Sequence, residues 1–144
     1  MRRIAFDLDE TLGVPRIDGN NIVGWNFRDG CAELLTTLQN DFTLCLWSVS
    51  SRRYVNLALS FGLNQWFADS YSWDEVATSW KDISQIDVDF LIDDSPHHRE
   101  TAVLYGLGDA YIVIPAYGSP DDVADPFAWV RLVESRLLQS RPVP

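Results

Sequence analysis

Short apolar runs alternate along this chain with stretches patterned for helices, an order that favours a parallel sheet with crossover helices. The apolar runs fall at residues 3–8, 42–47, 89–92 and 110–114, with a shorter extended piece at 71–73. The first run ends in Asp7-Leu8-Asp9-Glu10-Thr11. In a strand, residues i and i+2 point to the same side, so Asp7 and Asp9 are expected at one point beyond the strand's carboxyl end. Carboxylates that close repel unless a cation or a shared proton relieves them. Folding alone gains nothing from that placement; binding of a divalent metal and a phosphate would.

The 144 residues, 47% of them hydrophobic, suit one domain with a single core. We therefore expect a single domain over 1–144. Residues 15–27 do not read as helix, and Gly19-Asn20 suggests a hairpin turn, so a small flap is expected over about 13–28. No apolar run approaches the roughly 20 residues of a membrane span. Met1-Arg2-Arg3 leads straight into a strand without an apolar leader, which gives a cytoplasmic expectation. The net charge of −10 disfavours a nucleic-acid coat or an anionic membrane as partner. A small phosphorylated ligand stays compatible with that charge, because a bound cation reverses the local sign. Cys31 and Cys45 show no metal-ligand spacing and read as two buried, reduced thiols.

Helices are predicted at 29–39 with Asp29 as cap, from Ser50 or Ser51 to Gly62, from Ser95-Pro96 to about 105, and at 127–138 after Asp125-Pro126. Asp121-Asp122 reads as a solvated loop. His97 and His98 diverge as helical neighbours and read as exposed or substrate-adjacent rather than as metal ligands. Arg52 or Arg53 is expected to reach a substrate phosphate or an acidic neighbour.

Four polar features follow strands: Asp7 with Asp9; Ser48 with Ser50 and Ser51; Lys81; and Asp93-Asp94. Ligands of open α/β sheets bind beyond such strand ends. Each residue type has a part in phosphoryl transfer. Mg²⁺ takes oxygen ligands, which Asp7, Asp93 and Asp94 can supply. A carboxylate can attack phosphorus, and a second acid can protonate the leaving alcohol and then activate water. Ser48 and neighbouring backbone N–H groups, Val49 included, can hold phosphoryl oxygens, and Lys81 can balance their charge.

The set and its order resemble the haloacid dehalogenase superfamily of aspartate-nucleophile phosphatases, over residues 3 to about 96. Asp-Leu-Asp-Glu-Thr, Trp-Ser-x-Ser followed by Tyr54, Lys-Asp-Ile-Ser and Ile-Asp-Asp-Ser-Pro are most similar to the branch of the RNA polymerase II C-terminal-domain phosphatases, with the magnesium-dependent phosphatases as neighbours. The resemblance implies a three-layer Rossmann-like fold, a central parallel sheet with helices on both faces, a hairpin flap and no large cap. It implies Asp7 as nucleophile and metal ligand, and Asp9 as general acid/base that lends its carbonyl to the metal. It implies Ser48 and Val49 on the phosphate, Lys81 on both Asp7 and the phosphate, and Asp93 and Asp94 on Mg²⁺. The polymerase-tail branch often carries Asn at the position of Asp94. Superfamily members that act on halides lack the second aspartate, so Asp9 favours phosphate-ester hydrolysis, of a phosphoprotein or a small metabolite. The flap would place Trp25 and Phe27 near the entrance, while residues 51–80 look committed to the core.

Other readings carry the same residues. A receiver domain also sets acids, a hydroxyl and a lysine on a parallel sheet, but its acidic pair comes first and its lysine last. A scaffold on a retired phosphatase fold should have lost at least one of Asp7, Asp9, Lys81 or the acidic pair, and all are present. A nucleotide or polynucleotide-end phosphatase would use the same set.

Overall fold

The computed structural model describes residues 1–139. Five parallel strands make the sheet: β1 (Arg2–Phe6), β4 (Phe42–Trp47), β5 (Asp69–Tyr71), β6 (Phe90–Asp93) and β7 (Tyr111–Val113), in the order β5-β4-β1-β6-β7. A two-stranded antiparallel hairpin, β2 (Gly13–Asp18) and β3 (Asn21–Phe27), stands apart from it. β1 pairs with β4 from Arg2↔Phe42 to Phe6↔Leu46 and with β6 from Ile4↔Phe90 to Phe6↔Ile92. The chain therefore builds outward from β1 first on one side and then on the other, and the crevice at that reversal is where open α/β sheets take ligands.

Alternation along the strands sorts two faces. Ile4 and Phe6, Leu44 and Leu46, and Ile92 and Ile112 bury against α1 (Cys31–Leu38), α2 (Arg52–Ser60) and α5 (Ala128–Gln139). Ala5, Cys45, Trp47, Leu91 and Tyr111 face the other way, under Ala102 of α3 (His97–Val103) and the irregular stretch that carries Val76, Trp80, Ile86 and Val88. Both expected thiols are buried and free. No helix among the described residues is long and apolar enough to cross a membrane. Of the expected domain span, residues 140–144 lie outside the described residues.

Several local expectations change. β1 ends at Phe6, and α1 starts at Cys31 without a side-chain cap. Gly30 takes the position expected for a capping side chain, at φ 80°, and a Cβ there would meet Val130 Cγ2 at 2.8 Å. Close approach of α5 thus decides the residue, and Asp29 instead accepts the Trp129 Nε1–H through its carbonyl at 2.9 Å. Pro96, not Ser95, precedes α3. Ser51 does cap α2, accepting the Tyr54 N–H. An unforeseen helix, α4 (Pro120–Ala124), is capped by Ser119, and its Asp122 is buried rather than solvated. Trp25 is also corrected. It is only 5% exposed and belongs to the main core, and Phe27 packs edge-on against Trp66.

Candidate active site

The site is assembled by continuing the sheet one residue past its strands. Asp7 N–H bonds to Ile92 O at 2.9 Å and Ser48 N–H to Tyr71 O at 3.0 Å, while Asp93 closes β6. These hydrogen bonds leave the side chains of Asp7, Ser48 and Asp93 above the crevice between β4, β1 and β6.

Lys81 fills the centre. Its side chain is 1% exposed, and its ammonium donates to Asp7 Oδ1, Asp93 Oδ2 and the Trp47 carbonyl, each at 2.9 Å. Those three acceptors use all three ammonium protons. Burial works against the charged amine, but the Asp7 and Asp93 carboxylates outweigh it and push the Lys81 pKa up. The backbone of Lys81 is also held at both ends. Its N–H donates to His98 Nδ1 at 2.9 Å, and its carbonyl accepts the Tyr111 hydroxyl at 2.7 Å. Because Nδ1 accepts, the proton of a neutral His98 ring sits on Nε2. Burial, followed by the charges of Lys81 and His97, lowers the His98 pKa to about 4, so the ring is neutral at pH 7. Its Nε2 lies 3.7 Å from Asp93 Oδ2, too long for a hydrogen bond and, without charge, no ion pair.

Asp94 completes an acidic trio. One oxygen from each of Asp7, Asp93 and Asp94 can be chosen so that all lie within 4.8 Å of one another. Thr11 ties the trio together: its hydroxyl is 3.1 Å from Asp7 Oδ2 and 3.0 Å from Asp94 Oδ1, and it accepts the Asp94 N–H at 3.2 Å. Burial, then the neighbouring Asp7 and Asp93, raises the Asp94 carboxyl to about 7. Burial and the Asp7 charge likewise raise Asp93. Three carboxylates against a single ammonium, all oxygen donors in a small space, fit a hard divalent cation such as Mg²⁺.

Asp9 does not join Asp7 in that trio, although the strand rule places the two together. The chain leaves β1 after Phe6 and turns sharply, with Glu10 at φ 63°. The Asp9 side chain lies outside the trio and accepts a short hydrogen bond from the Tyr54 hydroxyl. Burial raises its pKa above the usual carboxylate value, the Tyr54 hydrogen bond opposes this, and the Asp7 charge adds to it. The Asp9 carboxylate is therefore not among the three that could hold a metal. Ser48 is buried and accepts the Ser50 N–H at 3.0 Å, which leaves its proton available to a phosphoryl oxygen.

The turn from Asp7 to Gly13 is braced from behind. Arg28, buried, pairs with Asp122 at 2.9 Å and lies over the Trp129 ring at 4.7 Å. Its guanidinium also donates, at 3.4–3.5 Å, to the carbonyls of Thr11 and Glu10. Tyr117 N–H bonds to Glu10 O at 2.7 Å. Asp122 in turn accepts the Gly118 N–H at 2.9 Å.

A cleft of about 400 Å³ opens over this cluster, lined by Asp7, Lys81, Asp93 and Asp94 within and by Val49, Trp73, Thr78 and Ser79 towards its mouth. No hairpin residue lines it, which corrects the expectation that Trp25 and Phe27 guard the entrance. Arg52 reaches Glu75 and Ser70 and not the cleft. Sequence reasoning missed Thr11, Arg28 with Asp122, Tyr111 and Trp73. Only Thr11 carried a signal, as the last residue of its motif.

No protein-family model matches the sequence, and no curated protein matches it. Solved structures do match. A haloacid dehalogenase-like family hydrolase from Xanthomonas campestris superimposes with a TM-score of 0.63 at 15% identity, covering 96% of this chain and 97% of that one. The D,D-heptose 1,7-bisphosphate phosphatase of B. bronchiseptica, in a complex with magnesium and phosphate, gives 0.61 at 16% identity over 98% of this chain and 100% of that one. The fission yeast RNA polymerase II CTD phosphatase, bound to beryllium fluoride, gives 0.60 at 15% identity over 96% of this chain and 50% of that one. At these identities what is shared is the three-dimensional architecture, and the chain carries the fold of the haloacid dehalogenase-like hydrolases.

Proposed function

We propose that this protein is a Mg²⁺-dependent phosphatase that hydrolyses a phosphate monoester, of a phosphoprotein or a small metabolite, through an aspartyl-phosphate on Asp7. One observation carries the reading: a buried lysine whose ammonium bridges Asp7 and Asp93 at 2.9 Å, beside a third carboxylate that a monovalent partner cannot balance. A core gains nothing from such a cluster, because buried charges that are not fully compensated destabilise it. The fold shared with phosphatases supports the assignment.

Asp7, Asp93, Asp94 and the Asp9 carbonyl would hold the metal. Bound there, Mg²⁺ would offset the negative charge of the cluster and of the phosphoryl oxygens. The chain's own groups do the rest. Lys81 orients the Asp7 carboxylate and shields it from an incoming anion. Ser48 and the Val49 N–H hold phosphoryl oxygens. An Asp7 oxygen bonds to phosphorus as the ester P–O bond breaks, and Asp9 delivers its proton to the departing alkoxide. A raised Asp9 pKa suits that role. Asp9, now ionised, takes a proton from water as the water oxygen bonds to phosphorus. The P–O bond to Asp7 then breaks, returning free carboxylate and inorganic phosphate.

Hydrolysis of an aryl phosphate with and without Mg²⁺ tests the reading. Turnover that requires the metal, with a hydroxylamine-sensitive phosphoenzyme, is expected. Absence of turnover across divalent metals and pH would overturn it.

A further inference from the structure

We infer that Trp73 and Val49 form a subsite for an aromatic or apolar organic group on the ester, so that the cleft prefers phosphates bearing such a group over those of small polar alcohols. The inference rests on the phosphatase reading of this cleft. Depth orders the cavity: Lys81 is 1% and Asp93 4% exposed at its floor, whereas Trp73 is 47% and Val49 51% exposed at its mouth. A phosphate on the floor sends the rest of its ester out through that mouth, past those two side chains.

They come from different loops, after β4 and after β5, and are joined where Trp73 N–H bonds to Ser50 O at 2.8 Å. The backbone on either side of Trp73 is tightly held. Ser72 donates to Glu75 through its N–H at 2.9 Å and its hydroxyl at 2.8 Å, and Asp74 N–H donates to Ser72 Oγ at 3.2 Å. Arg52 then ties Glu75 to the Ser70 carbonyl. A loop fixed this firmly nevertheless leaves its one large apolar side chain half in solvent, next to the chemistry. A rigid aromatic surface gives a ligand contact area with little entropy left to lose. Thr78 and Ser79, which also line the cleft, are polar, so selection for an apolar group falls to Trp73 and Val49.

Benzyl phosphate and methyl phosphate release alcohols of similar basicity, so their intrinsic reactivities match and a preference reports on binding. The wild-type protein with Mg²⁺ is expected to favour benzyl phosphate by about tenfold in kcat/KM. Trp73→Ala should bring that ratio close to one, chiefly by raising KM for benzyl phosphate, and Trp73→Phe should keep most of it. Equal kcat/KM for the two esters in the wild type, or an equal loss on both in Trp73→Ala, would overturn the subsite. If the wild type hydrolyses neither, the phosphatase reading is judged on the aryl phosphate alone, and calorimetry with benzylphosphonate and methylphosphonate decides the subsite. Tighter benzyl binding that Trp73→Ala removes would uphold it. Equal binding, or none, would overturn it.

Discussion

Two buried ionic groups flank the Asp7–Gly13 turn, and they are built on opposite principles. Behind the turn, Arg28 meets a single carboxylate, Asp122, at 2.9 Å, and its remaining surface is spent on a tryptophan ring and two backbone carbonyls. In front of it, Lys81 meets Asp7 and Asp93, and Asp94 is packed in beside them, against Thr11 and the Asp7 carboxylate. The first group is balanced one to one in charge, although the Arg28 Nε–H finds no acceptor. The second has a formal surplus of two negative charges, and its members respond: burial and mutual repulsion push Asp94 up to about 7. A balanced buried pair holds a turn in place, whereas an unbalanced one leaves room for a further positive charge.

The sharpest break between the two comes from removing one carboxylate from each. Asp7→Asn relieves repulsion, so it should leave urea stability unchanged or higher while turnover falls by about 10⁴-fold or more. Asp122→Ala strands the Arg28 guanidinium in the core and should cost about 3–5 kcal/mol in the same titration. If Asp7→Asn destabilised the protein by as much as Asp122→Ala, the front cluster would be structural after all.

Metal linkage is the next largest difference. A ligand that binds only the folded state stabilises it by about 2.7 kcal/mol at a hundred times its Kd. Mg²⁺ should therefore raise the melting temperature of the wild-type protein but not that of an Asp93→Asn/Asp94→Asn variant. The shift should persist in Arg28→Lys, measured against its own metal-free baseline. An equal shift in the double variant would place the cation elsewhere.

The smallest effect belongs to a balanced pair at the surface, Arg52 with Glu75. The Arg52 hydrogen bond, helped by Ser72, holds Glu75 down at about 2, against an ordinary value of 4.5. A carboxyl lowered on folding adds stability that is fully present above pH 4.5 and lost as pH falls through about 2. Glu75→Gln should flatten that part of the acid-stability curve, by less than about 1 kcal/mol because solvent screens the pair. A flattening as large as the Asp122→Ala cost would mean that balance, not burial, sets the energetics.

Much of the fold was legible because strand and helix patterns are local. The apolar runs at 42–47 and 89–92 became strands within a residue, and Ser51 and Gly62 bracket α2 as their chemistry demands. Misreadings arose where a distant segment decided the outcome. Asp29 is a good capping residue, but α5 approaches so closely that glycine occupies the cap at position 30. Asp122 looked solvated because its partner, Arg28, is 94 residues away. Trp25 looked like an entrance residue because a hairpin is normally exposed, yet its ring sinks into the core.

The sequence by itself determined the sheet, the order of the chemical residues and the type of reaction they suit, because residue type and spacing suffice for those. Tertiary structure alone decided that Asp7 and Asp9 part company, since only the turn at Glu10 and the position of Tyr54 separate them. It alone set Lys81 between two carboxylates, because the long irregular segment before it has no periodicity to fix its register. And it alone left Trp73 at the mouth of the cleft, where the hydrogen bonds of its neighbours hold the loop while the side chain stays half exposed.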